Sequence, residues 1–114
     1  MSALLYRIDH PARGLWYRPD GRFDPFIFNL KEAKAKDFPM DYDSRYAGGW
    51  ISACKNLDNM RDWFSREDAL ELIAHGFSFY QIESSEYRME PMQALFTRKG
   101  VIRQVKVPLD GIWA

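Results

Sequence analysis

The segment from Ser65 to Phe77 constrains the fold most, because both ends of a short helix are written into it. Ser65 can accept a hydrogen bond from the exposed N–H groups of a first helical turn, and Asp68 three positions on is a weaker relative of the capping-box glutamate. Glu67 and Asp68 put negative charge where the helix dipole favours it. Gly76 matches the left-handed residue that closes a helix, and Phe77 can fold back onto Leu72. Ala69, Leu70, Leu72 and Ile73 form the expected apolar face, which must be covered by another layer. A second helix precedes this one, capped by Asn56, with Leu57, Met60, Trp63 and Phe64 on one face.

The remaining signals are mostly β. Residues 4–8 read as a first strand, ended by His10-Pro11. Residues 14–18 and 23–30 read as two strands around a Pro19-Asp20-Gly21 turn, with Pro25 pointing to an edge or a bulge. Residues 31–36 read as one or two helical turns, and residues 37–49 as a long loop. Residues 50–54, 77–84, 92–98 and 101–107 read as further strands. Arg98-Lys99-Gly100 is expected to be a hairpin turn between the last two, and 83–91 a polar connection. The expectation is one α+β domain over 1–114, with a mostly antiparallel sheet and two consecutive central helices packed on one face. Its core should include Leu5, Ile8, Trp16, Ile27, Trp50, Ile51, Met60, Trp63, Leu70, Ile73, Phe79, Phe96 and Val105.

Composition narrows the function classes. At 114 residues the chain can build one hydrophobic core but not two. The lone cysteine, Cys54, forbids an intrachain disulfide and reads as a small buried hydrophobe. With 16 basic and 16 acidic residues, the net charge of zero argues against direct nucleic-acid binding. No apolar run reaches membrane length and no signal peptide is recognisable, so a cytoplasmic location is expected.

No motif completes a catalytic or metal set. His10 sits in a turn and His75 at a helix C-terminus, so neither reads as a ligand. Asp41-Tyr42-Asp43 lacks calcium-loop spacing. Gly48-Gly49 precedes a strand and is not a phosphate loop, and Ser52 has no nucleophile elbow. Aromatic and basic residues are often neighbours, as in Tyr6-Arg7 and Trp16-Tyr17-Arg18, but alternation along a strand sends them to opposite faces. The 37–49 loop is the expected contact surface. It offers Phe38, Tyr42 and Tyr46 as anchors and Asp37, Asp41 and Asp43 as a charged rim suited to a basic partner.

Several motifs together resemble small proteins of bacteriophages and prophages: Tyr6-Arg7, Trp50-Ile51-Ser52, Trp63-Phe64, an acidic helix from Glu67 closed by Gly76-Phe77, and Gln93-Ala94-Leu95-Phe96. That resemblance implies an accessory protein that binds a host protein or nucleoprotein complex without a cofactor. An inhibitor of a bacterial defence system, similar to anti-CRISPR proteins, is one such role. The same order resembles a reduced mono-ADP-ribosyltransferase fold, which places Arg on its first strand, Ser on a central strand and Glu just before a late strand. By position these are Arg7, Ser52 and Gln93, with NAD as the implied ligand. Gln93 departs from the pattern because an amide carries no negative charge, and Glu90 is the nearby carboxylate that could replace it.

Overall fold

The computed structural model describes residues 1–12, 15, 18, 20, 22, 24, 26–33 and 50–113, with 27 and 28 described by their backbone. The order of strands and α-helices is β1 (Ala3–Asp9), β2 (Trp50–Ala53), α1 (Leu57–Trp63), α2 (Arg66–Ala74), β3 (Ser78–Ser84), β4 (Tyr87–Met89), β5 (Ala94–Thr97) and β6 (Val101–Val107). The fold is α+β, and its strands form two antiparallel three-stranded sheets, β1-β3-β6 and β2-β5-β4. They meet where Tyr6 and Cys54 exchange backbone hydrogen bonds of 2.9 and 2.6 Å.

Alternation along β1 and β3 gives the first sheet two buried faces. Ile8 pairs with Phe79, and both join Met60, Trp63, Ala69 and Leu72 under the helices. Leu5 pairs with Ile82, and both join Ala53, Ala94 and Phe96 from the second sheet. The first sheet is therefore the middle layer, and both helices contribute to the core on one of its faces. Cys54 is buried there, with Sγ 4.0 Å from the sulfur of Met60.

Both helices end as their sequences require. The Asn56 side chain accepts from the N–H of Asn59, and Ser65 and Asp68 form a reciprocal capping box. At the far end of α2, Phe77 N–H donates to the Leu72 carbonyl and Gly76 N–H to that of Ile73, each at 3.0 Å, the pattern of a Schellman cap. Gly76 has φ +94°, and a Cβ there would lie 2.9 Å from Nε2 of His10. Glycine is thus required both for conformation and for space. His10 is held between the N–H of Ala12, which donates to Nδ1, and the carbonyl of His75, to which Nε2 donates.

Several expectations are corrected. Leu70 and Ile73 are 39% and 42% exposed, because α2 turns Asp68, Ala69 and Leu72 inward instead. Asp68 is fully buried and accepts from the N–H groups of Ala33 and Ser65 at 2.9 and 3.3 Å, which offsets the burial of its charge. Trp50, Ile51 and Val105 are half-buried. The strand expected over 23–30 contains a 3₁₀ turn, Phe26–Asn29, anchored where Phe26 N–H donates to the Leu15 carbonyl at 2.8 Å. Of the strand expected over 14–18, the described Leu15 and Arg18 lie outside any strand, and of the helical turn over 31–36, residues 31–33 are not helical. Residues 98–100 are not a hairpin turn: β5 and β6 belong to different sheets, and this 3₁₀ turn is the corner between them. The polar connection over 83–91 contains a strand, β4. Trp16, the side chain of Ile27 and the whole 37–49 loop lie outside the described residues.

Candidate functional site

The register of the second sheet determines which side chains share its outer face. Ser52 lies opposite Leu95, and Leu95 opposite Arg88. Trp50 lies opposite Thr97 one row away. The inner face carries Ala53, Ala94 and Phe96, so Ser52, Trp50 and Arg88 point outward. There the Arg88 guanidinium lies 5.7 Å from the centre of the Trp50 ring. Glu86 and Thr97 pair side chain to side chain in the same region.

β4 and β5 are joined by a tight turn at Pro91-Met92. The N–H of Glu90 donates to the Gln93 carbonyl at 2.8 Å, which sets these two residues side by side. Gln93 Nε2 then donates to Glu90 Oε1 at 3.3 Å, and Ser52 Oγ donates to Gln93 Oε1 at 2.6 Å. The amide orientation follows from chemistry: an ionised carboxylate only accepts, so Gln93 must turn its nitrogen to Glu90 and its oxygen to Ser52. Ser52 is buried, and its carbonyl accepts from Arg7 Nη1. Arg7 Nε donates to Asp9 Oδ1 at 3.0 Å, and Arg98 Nη2 donates to Asp9 Oδ2 at 3.2 Å.

Arg7, Ser52, Gln93 and Glu90, the set implied by the transferase resemblance, thus form one hydrogen-bonded chain across the junction of the sheets. Its two ends differ in charge. Arg7 and Arg98 share the single carboxylate of Asp9, leaving a surplus positive charge at one end. Glu90 supplies a negative charge at the other. Arg7 commits two of its five N–H donors to the partners named, and its side chain is 20% exposed. Among the described residues the other three have no partner.

The turn that carries Glu90 and Gln93 is held from behind by α1 and the residues before it. The Met92 carbonyl accepts from Asn59 Nδ2 at 3.1 Å and from Trp63 Nε1 at 3.0 Å. The Pro91 carbonyl accepts from Lys55 Nζ at 2.6 Å. Asn59 Oδ1 accepts in turn from the Lys55 N–H at 2.9 Å. Asn59 and Lys55 are positioning residues absent from the sequence expectation, and Trp63, expected there only as a core ring, is a third. The Asn56 cap, which starts α1, was the only local sign of this arrangement.

An open concavity of about 500 Å³ is lined by Leu4, Tyr6, Lys55, Asn56, Leu57, Asp58 and Arg61. None of the hydrogen-bonded chain lines it. Its cations are already paired, Lys55 with the Pro91 carbonyl and Arg61 with the Ile112 carbonyl and with Asp58, itself a lining residue. The expected contact residues Asp37, Phe38, Asp41, Tyr42, Asp43 and Tyr46 lie outside the described residues. Among the described residues, no helix is long and apolar enough to cross a membrane. Comparison with protein-family models, with curated proteins and with solved structures finds no match.

Proposed function

We propose that the seam between the sheets binds a dinucleotide of the NAD class and that the chain carries out ADP-ribosyltransferase-like chemistry there. The observation that carries this reading is the charge polarity of the hydrogen-bonded chain, with a surplus cation at Arg7 and Arg98 and a carboxylate at Glu90. NAD has the complementary polarity, an anionic diphosphate and a nicotinamide ribose that becomes cationic as its glycosidic bond breaks. The three remaining N–H groups of Arg7 suit the diphosphate. Gln93 suits a ribose hydroxyl, and Ser52 fixes its amide.

The missing carboxylate at position 93 is the main departure from the transferase pattern. Pro91 does not keep Glu90 away; it opens the turn that brings Glu90 to within 3.3 Å of the Gln93 amide. Glu90 can therefore supply the negative charge that stabilises an oxocarbenium-like transition state. In that step the bond from C1′ to the nicotinamide nitrogen breaks and its electron pair leaves with nicotinamide. An acceptor nucleophile then bonds to C1′ and gives up its proton to solvent.

Calorimetry with NAD and with ADP-ribose tests the binding, and chromatography for released nicotinamide tests the chemistry. Both ligands are expected to bind wild type. Glu90→Gln should retain binding and lose about 100-fold or more of any nicotinamide release, the usual scale for removing a transition-state charge partner. Failure of wild type to bind either ligand would falsify the proposal.

A further inference from the structure

We infer that the outer edge of β6 binds an acidic peptide in extended form as an added strand, an inference that goes beyond the dinucleotide reading and does not require it. The edge of a sheet carries a row of backbone N–H and C=O groups without strand partners, and proteins commonly shorten it or cover it. The other edges here are treated in that way. β4 has three residues, and β1 and β2 meet across the Tyr6–Cys54 bridge. β6 has seven residues and stands at the end of the order β1-β3-β6, and among the described residues no strand pairs with its outer side. Ile102, Arg103, Gln104 and Lys106 are exposed. The register with β3 is regular from Arg103 to Val107 and shifts only at the other end, beyond Glu83. The stretch from Arg103 to Val107 can therefore template a partner strand through its main chain.

Charge selects the occupant. Although the whole chain is neutral, the stretch between Glu90 and Asp110 holds Arg98, Lys99, Arg103 and Lys106 and no acidic residue. Among the described residues neither Arg103 nor Lys106 is in an ion pair. Glu83 faces Arg103 from β3 and accepts from Ser2 Oγ, whereas Lys106 faces Tyr80 and has no carboxylate across the strand. A second copy pairing edge to edge would add the same two cations and no acidic residue, which disfavours self-association. An acidic strand offsets both charges. Its pattern follows from alternation. Val107 lies opposite Phe79 of the helix-side cluster, so Arg103 and Val105 share that face. Gln104 lies opposite Ile82 of the other cluster, so Lys106 shares the opposite face. A matching strand has acidic residues three positions apart, facing Arg103 and Lys106, with an apolar residue between them facing the half-buried Val105. A polyanion without a peptide backbone would use the cations but could not complete the edge.

The test is fluorescence anisotropy on the full chain with a labelled peptide, Thr-Val-Glu-Val-Thr-Glu-Thr. One control peptide carries lysine in place of both glutamates, and a second keeps the glutamates but is N-methylated along its centre, which removes main-chain donors without changing charge. Wild type is expected to bind the glutamate peptide, and each control about tenfold or more weakly. Lys106→Glu should lower affinity about fivefold, while Arg66→Glu, the same charge change at an exposed position on α2, stays within about twofold of wild type. Hydrogen exchange should show new protection of amides between Arg103 and Val107 when the peptide is bound. The inference is overturned if wild type does not bind the glutamate peptide, if either control binds as tightly, or if Arg66→Glu loses as much as Lys106→Glu. It is also overturned if the free chain sediments as a dimer with the β6 amides already protected. Binding of the peptide without NAD would remove the dinucleotide reading and keep this one, and binding of NAD alone would do the reverse.

Discussion

The two sides of the first sheet are held by different physics. Under the helices, Ile8, Met60, Trp63, Leu72, Phe79 and their neighbours make a large apolar cluster. At the junction with the second sheet the apolar cluster is smaller, and the polar chain from Arg98 to Glu90 crosses beside it. Burial of one large apolar side chain contributes roughly 1.5–3 kcal/mol and has no preferred direction. One hydrogen bond contributes a net of about 1 kcal/mol but sets distance and angle. The helix side therefore supplies most of the stability, and the junction supplies most of the geometry. Substitutions in the first should read out mainly as unfolding, and in the second mainly as loss of ligand binding.

Trp63 breaks that division, because it belongs to both regions. Its ring is buried in the helix-side cluster, while its Nε1 donates to the Met92 carbonyl in the turn between Glu90 and Gln93. Trp63→Ala is expected to cost about 3–5 kcal/mol, the range for large aromatic deletions in a packed core. Urea denaturation checks this, and an unchanged midpoint would show that the ring is not part of the core. Trp63→Phe keeps most of the apolar volume and deletes the donor. It should lose less stability while still weakening dinucleotide binding, since among the described residues the turn is then held from behind by Asn59 and Lys55.

Ser52→Ala sharpens the comparison with a smaller effect on stability. The hydroxyl makes one hydrogen bond, to Gln93, so its loss should cost about 1 kcal/mol. The Gln93 amide then loses the partner that fixes its orientation. Affinity for NAD should fall by more than the unfolding free energy implies, about tenfold or greater, as expected when a polar group in a site is left unpositioned. Parallel calorimetry and denaturation separate the two. Equal effects on both would mean that Ser52 serves the junction and nothing else.

What could be read from the sequence follows the range of the interactions. The caps of α2 were legible because Ser65, Asp68, Gly76 and Phe77 act within one or two turns of each other. The buried face of the same helix was not, because Asp68 is held inward partly by Ala33, 35 positions away. Strand β4 is not legible because Tyr87-Arg88-Met89 alternates over only three residues inside a polar stretch; its pairing with β5 makes it a strand. The turn at 98–100 has the same local chemistry whether the chain doubles back or passes to another sheet. Arg7, Ser52, Gln93 and Glu90 come together in the sequence only through the resemblance to the transferase pattern. Their contact depends on the register of β2 with β5 and on the Pro91-Met92 turn, which one-dimensional spacing does not contain.

The smallest predicted effect concerns Leu70 and Ile73, which lie outside both regions. An apolar identity at these positions matches the helical period, and burial in the core would make Leu70→Gln or Ile73→Gln cost several kcal/mol. At 39% and 42% exposure most of that cost is absent. The inward face of α2 is already filled by Ala69 and Leu72, both fully buried, together with the hydrogen-bonded Asp68. Glutamine is also a good helix former and replaces a β-branched residue at position 73, which offsets part of any lost contact. Each substitution should change stability by no more than about 0.5 kcal/mol, and because the sites are adjacent on one turn the double variant is the stricter measurement. A loss above about 2 kcal/mol in the double variant would place this face of α2 against another layer and give the molecule a third packed region.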